Sequence, residues 1–92
     1  MVFQNVVRAS EQLATYRCPC CSSLTLHGRG QDEICPVCFW HDDGQDDHDA
    51  DDVRGGPNRS LSLAEGRTNY LACGAADPDM RELVRLPTEA ER

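Results

Sequence analysis

The chain has 92 residues, six of them cysteine, and a formal net charge of −7. A chain of this length forms one domain at most, and so small a core often needs disulfides or a metal to stabilise it. The acidic balance disfavours direct contact with a nucleic-acid backbone, and no stretch is long and apolar enough to span a membrane. Since no apolar signal segment follows Met1, we expect a cytoplasmic protein with reduced cysteines that bind metal.

In chain order, we predict an N-terminal arm (1–15), a metal-binding domain (16–87) and a flexible tail (88–92). The arm contains one β-prone run, VFQNVV, and no stronger signal. The first feature of the domain is the segment between two cysteine pairs, SSLTLHGRGQDEI. It combines apolar strand formers with a turn sequence and therefore predicts a β-hairpin.

The two cysteine pairs share the pattern C-P-x-C and are separated by thirteen residues: Cys18 with Cys21, and Cys35 with Cys38. Two thiolates three positions apart can bind one ion from a tight turn, and a hairpin can return the chain to that ion. We therefore predict one zinc per chain, held by these four sulfurs. A rubredoxin-like iron site would use the same ligands, and two disulfides or a redox pair are further alternatives.

Three other residues lie near this pattern. Cys20 occupies the variable position of the first pair, so we expect its side chain to point away from the ion. Cys73 is predicted to be a small core residue on a helix, and a Cys20–Cys73 disulfide would require the fold to bring the two together. His41 is a candidate alternative metal ligand, although four thiolates already complete a structural zinc site. The aromatic pair Phe39-Trp40 is predicted to cover the metal site as part of the core.

An acidic run follows, DDGQDDHDADD, with seven aspartates in residues 42–52. Such a run repels itself and predicts a solvated loop, either for solubility or for binding a basic partner protein. The candidate partner-binding residues are Asp42, Asp43, Asp46, Asp47, Asp49 and Asp51. A calcium loop of the EF-hand type is the alternative, but Gly44 comes too early in the run and no glutamate closes it.

Two short helices are predicted after the open loop RGGPN. Ser62 and Glu65 have the spacing of a capping box at the start of the first helix, and Gly74 is placed to end it. Asp77 can cap a second helix that opens with Pro78. The apolar face of the first helix is predicted to contain Leu63, Tyr70 and Leu71.

The segments CPCC, ICPVCFWHDDG, GGPN and SLAEGRTNYLACGA, in this order, resemble the bacterial cysteine-rich CPCC family from about residue 16 to about residue 87. The resemblance implies a small zinc-binding domain with no established activity, and an immunity role for members near bacterial toxin systems. Four positions depart from the family pattern: Ser22 replaces a glycine, His41 replaces an acidic residue, and Pro57 and Gly66 replace commoner small or alanine residues. Ser22 is expected to distort the first cysteine turn slightly.

The predicted fold is a small metal-stapled α+β domain: a zinc-ribbon or rubredoxin-like β-hairpin with two C-P-x-C knuckles, followed by two short helices. The rival is a treble-clef arrangement, in which Cys35 caps a short helix that begins at Pro36. The predicted function is a non-enzymatic zinc domain that binds another protein, as an immunity or inhibitor protein would bind a toxin. An iron electron carrier and a small metalloenzyme are the alternatives, and a catalytic zinc would need an open coordination position.

Overall fold

A computed structural model describes residues 14–92. The predicted N-terminal arm, with its run VFQNVV, therefore lies outside the described residues except for its last two positions. Within the described part of the chain, the order of elements is four short strands, one α-helix and several 3-10 turns. None of the helices in this part is long and apolar enough to cross a membrane.

The strands form two separate antiparallel hairpins, each closed around one cysteine pair. Strand β1 (Tyr16–Arg17) pairs with β2 (Leu24–Leu26), and β3 (Glu33–Ile34) pairs with β4 (His41–Asp42). The single hairpin predicted between the cysteine pairs is therefore wrong in its pairing, because β2 and β3 belong to different hairpins. The physical reason is that each C-P-x-C turn reverses the chain by itself. The strand before each turn therefore pairs with the strand after it.

The α-helix of the described residues, α1, spans Leu63–Cys73 and begins and ends as the sequence predicts. The Ser62 hydroxyl accepts a hydrogen bond from the Glu65 amide at 3.1 Å, and the Ser62 amide donates to the Glu65 carboxylate at 2.9 Å. Gly74 follows in the left-handed conformation, with φ of 86°, which favours glycine. The predicted apolar face is wrong at Leu71, which is 86% exposed.

The second predicted helix is a 3-10 helix, Pro78–Leu83, whose cap is the predicted one. The Asp77 carboxylate accepts a hydrogen bond from the Asp79 amide at 3.0 Å. Pro78 stands at the start of the helix, where its missing N–H leaves no donor unpaired.

Residues 88–92, the predicted tail, contain a short 3-10 turn that an ion pair joins to the preceding segment. Glu89–Glu91 is a 3-10 helix. The Glu91 carboxylate accepts two hydrogen bonds from the Arg85 guanidinium, at 2.7 and 2.8 Å. This ion pair joins the turn to the preceding segment and lowers the pKa of Glu91 to about 2.

The core lies between the two cysteine turns and α1. Trp40 is 1% exposed, in agreement with its predicted core position, whereas Phe39 is half-buried.

Gly66 lies on the face of α1 that packs against the Trp40 indole. A Cβ atom at Gly66 would stand 3.2 Å from two indole carbons and 3.3 Å from the Cys20 sulfur. The close approach of the helix to the core therefore depends on the absence of a side chain at Gly66. The full buried cluster is Cys18, Cys20, Leu26, Cys35, Val37, Cys38, Trp40, Leu63 and Ala76.

Candidate metal centre

The first cysteine turn is closed by two backbone hydrogen bonds. The Ser22 amide donates to the Cys18 carbonyl at 2.8 Å, and the Cys18 amide donates to the Ser23 carbonyl at 2.8 Å. Ser22 adopts the left-handed conformation, with φ of 67°, at the position where glycine would be least strained. The expected distortion at Ser22 is not observed, because both hydrogen bonds of the turn form.

The second cysteine turn repeats this geometry. The Phe39 amide donates to the Cys35 carbonyl at 2.7 Å, the Cys35 amide donates to the Trp40 carbonyl at 3.0 Å, and Phe39 has φ of 70°. Residues 36–38 form a turn rather than the first turn of a helix. The treble-clef rival, which required a helix beginning at Pro36, is therefore wrong.

The two turns face each other and bring four sulfur atoms together. The Sγ atoms of Cys18, Cys21, Cys35 and Cys38 all lie within 4.8 Å of one another. Cys18 and Cys38 are 3.6 Å apart at Sγ, and so are Cys21 and Cys35, so each close pair takes one cysteine from each turn. All six cysteines are free thiols, and the alternative of two disulfides is not realised.

The spacing of the sulfurs fits a tetrahedral metal site. Four zinc–sulfur bonds of about 2.3 Å in tetrahedral geometry would place the sulfurs about 3.8 Å apart. The observed cross-turn sulfur–sulfur separations of 3.6 Å are close to that value. They are much longer than the S–S bond of a disulfide, which is about 2.05 Å. The four residues therefore have the donor atoms and the geometry to hold one metal ion.

Two further groups contact the sulfurs. The Thr25 hydroxyl lies 3.1 Å from Cys35 Sγ, and the Cys20 amide donates to Cys18 Sγ at 3.4 Å. Thr25 is buried on β2, directly beside the second turn. Hydrogen bonds of this kind orient metal ligands and stabilise negative charge on sulfur. No sequence pattern singles out Thr25, because its contact with Cys35 depends on how the two hairpins are placed.

The thiols perturb one another strongly. A hydrogen bond with Cys21 raises the pKa of Cys18, a hydrogen bond with Cys18 raises the pKa of Cys38, and burial adds to both shifts. Hydrogen bonding with the Cys18 thiol lowers the pKa of Cys21 and of Cys35. A bound dication requires thiolates and would displace the protons of these four thiols, so metal affinity should fall as pH falls.

The remaining candidate ligands lie outside this cluster. Cys20 is buried against α1 and, as predicted, is not among the four converging thiols. Cys73 is half-buried at the end of α1 and its thiol is directed to the Ala75 carbonyl, 3.6 Å away. The His41 ring packs edge-on against Phe39, with ring centroids 5.5 Å apart. Among the described residues, the only group with metal-binding geometry consists of the four cysteines.

The acidic run is an ordered loop rather than a solvated one. Asp42 is completely buried, and its carboxylate accepts hydrogen bonds from Arg29 Nε and the Gly30 amide, both at 2.9 Å, and from the Gly44 amide at 3.2 Å. Asp42 therefore belongs to the interior, which removes it from any partner-binding surface.

Three more of the candidate aspartates support the loop. The Asp46 carboxylate caps the 3-10 turn Asp47–Asp49 and accepts from Arg29 at 2.9 Å, which lowers the pKa of Asp46. Asp49 completes the capping box and pairs with Arg54. The carboxylate of Asp43 accepts from the Gln45 amide at 3.1 Å. Backbone amides and arginines therefore engage these carboxylates, which hold the loop in place.

Asn58 is a residue that the sequence interpretation missed. It lies in the GGPN loop, and its side chain is buried. Its amide oxygen accepts from the His41 amide at 3.0 Å, and its amide nitrogen donates to the His41 carbonyl at 2.7 Å. The side chain thus completes the hydrogen bonding of β4 as a neighbouring strand would, and joins the loop to the second cysteine turn.

The fold and the sulfur cluster define a small cysteine-rich α+β domain with a candidate metal centre. Residues 16–91 match the family described as Cysteine-rich CPCC. The chain therefore belongs to the cysteine-rich CPCC family, and the predicted resemblance is confirmed. Comparisons with curated proteins and with solved structures gave no match.

Proposed function

We propose that the protein is a non-enzymatic zinc-binding domain of zinc-ribbon type that acts by binding another protein. The observation that carries the proposal is the convergence of four thiols within 4.8 Å. Zinc is the usual occupant of such a four-sulfur tetrahedral site, and four thiolates complete its coordination. A catalytic zinc would keep a position for water, so the donor set favours a structural role.

The metal proposal is tested by elemental analysis of the full chain purified without added metal. We expect one zinc per chain and loss of the helical circular dichroism signal on chelation, because structural zinc contributes on the order of 10 kcal/mol to folding in small domains. A rubredoxin-like iron site would give iron in the analysis and visible absorption. A metal-free chain that keeps its full circular dichroism spectrum would contradict the proposal.

The surface proposed to contact a partner is smaller than the whole acidic run. It consists of the exposed carboxylates Asp47, Asp51 and Asp52, which we call the acidic rim. The side chain of Asp47 is 86% exposed, and it pairs with Arg67 of α1 at 2.8 Å, so a basic partner would compete with Arg67 for it. Beside Asp51 an open groove of about 410 Å³ reaches α1 and is lined by Glu65. Such a surface suits arginine or lysine side chains of a basic partner, and a toxin neutralised by its immunity protein would be one such partner.

The acidic rim is tested with two triple variants of equal charge. One replaces Asp47, Asp51 and Asp52 with asparagine. The control replaces three exposed acids of the C-terminal segment, Asp79, Glu82 and Glu89, with their amides. Partners are captured from the native host and their association rates are measured by surface plasmon resonance at two salt concentrations. We expect only the first variant to slow association, since steering depends on charge near the interface. Equal rates for both variants would contradict the proposed surface.

A further inference from the structure

The four candidate ligands differ in their exposure to solvent. Cys18 is 1% exposed, and Cys35 and Cys38 are completely buried. Cys21 is half-buried and is the only one of the four that is not part of the buried core. A reagent in solution therefore meets the sulfur cluster at Cys21.

An open groove leads to this sulfur. Its volume is about 370 Å³, and it runs between the first cysteine turn and the outer face of α1. Cys21 and Ser22 line one side, and Tyr70 and the exposed Leu71 line the other. The groove is large enough for a peroxide molecule to reach Cys21 without movement of the core.

The Cys35 sulfur of the other turn lies 3.6 Å from the Cys21 sulfur. The second close pair, Cys18 with Cys38, has the same separation, but both of its members are buried. Of the two pairs, only the one that contains Cys21 has a member outside the buried core.

We propose that a peroxide oxidises the zinc-loaded site at Cys21 and converts Cys21 and Cys35 to a disulfide, with release of the metal. The proposal rests on the zinc site proposed above and adds its regulation. The Cys21 thiolate attacks one oxygen of hydrogen peroxide, the O–O bond breaks, and sulfenic acid and hydroxide form. The Cys35 thiolate then attacks the Cys21 sulfur, the S–S bond forms, and hydroxide leaves. Two thiolates lose two electrons, one peroxide gains them, and zinc loses two of its four ligands.

The test uses the full chain after its zinc content has been measured. Hydrogen peroxide is added in small steps, zinc release is followed with a colorimetric indicator, and the remaining thiols are alkylated and located by tandem mass spectrometry. We expect one zinc to be released for each Cys21–Cys35 disulfide. Limited alkylation of the untreated zinc form should modify Cys21 about ten times faster than Cys18, because reactivity follows exposure.

Two exposed leucines provide a matched pair of variants. Leu71 lines the groove beside Cys21, whereas Leu86, which is 82% exposed, does not. Leu71→Ala should speed peroxide-driven zinc release about two- to threefold, because it widens the approach to Cys21, and Leu86→Ala should leave the rate unchanged. A first disulfide between Cys18 and Cys38, or an equal rate for both variants, would overturn the inference. A chain that binds no zinc would instead refute the proposed function.

Discussion

Replacement of Asp42 by asparagine should destabilise the protein far more than any other removal of a single acidic charge from the 42–52 run. Asp42 is completely buried, and its carboxylate binds three donors from two segments of the chain. Asparagine keeps the size of the side chain but turns an –NH₂ group toward donors that need an acceptor. The variant therefore removes the charge and leaves at least one buried donor without a partner.

The magnitude follows from the contacts. A hydrogen bond to a charged group contributes about 1.5–3 kcal/mol, and removing one partner of a buried ion pair costs about 3–5 kcal/mol. Arg29 is 29% exposed and retains its contact with Asp46, which offsets part of the loss. We therefore expect the free energy of unfolding to fall by about 3 kcal/mol, or about 12–24 °C in melting temperature for a domain of this size.

Urea unfolding of the metal-loaded chain provides the assay, with the fluorescence of the single tryptophan, Trp40, as the signal. Asp51→Asn is the control, because it removes the same charge from an exposed position. The control should change stability by less than about 0.5 kcal/mol. If both variants unfold at the same urea concentration, Asp42 has no structural role and the reasoning from its burial is refuted.

Five other substitutions, at four positions, test the rest of the site. Asn58→Ala should lower the free energy of unfolding by about 2 kcal/mol in the same assay, because a buried backbone amide and carbonyl lose their partner; an unchanged midpoint would contradict this. Cys20→Ser should keep one zinc per chain in elemental analysis while Cys21→Ser loses it, and the reverse result would exchange their roles. Thr25→Val should weaken zinc binding about tenfold in competition with a chelator, whereas Thr25→Ser should not, because only the hydroxyl contacts Cys35. Equal affinities for both Thr25 variants would count against that hydrogen bond.

The parts of the fold that the sequence predicted correctly are those decided by neighbouring residues. The capping box of Ser62 and Glu65 spans three positions, and the C-P-x-C turns span three as well. In both cases the partners are fixed by the geometry of one turn. The burial of Trp40 was also predicted from its place next to the second cysteine turn, but the same reasoning predicted burial of Phe39, which is only half-buried.

The parts that the sequence did not predict depend on contacts between distant segments. The run HGRGQD has strong turn-forming residues, yet the flanking strands pair across the cysteine turns instead. Asp42 is surrounded by residues of like charge, and only the fold brings Arg29 to it from thirteen positions earlier. Leu71 fits the helical pattern of apolar residues, but it lies outside the core and is exposed to solvent. Pattern alone does not distinguish these outcomes.

The attachment of α1 makes the position of the helix depend on the cysteine turns. The Arg67 side chain of the helix donates to the Pro19 carbonyl of the first turn at 2.8 Å, and the Ala76 amide just beyond the helix donates to the Cys38 carbonyl of the second at 2.9 Å. These carbonyls are correctly placed only when both turns are closed. The helix therefore reports on both turns, and opening either one should remove one of its two attachments.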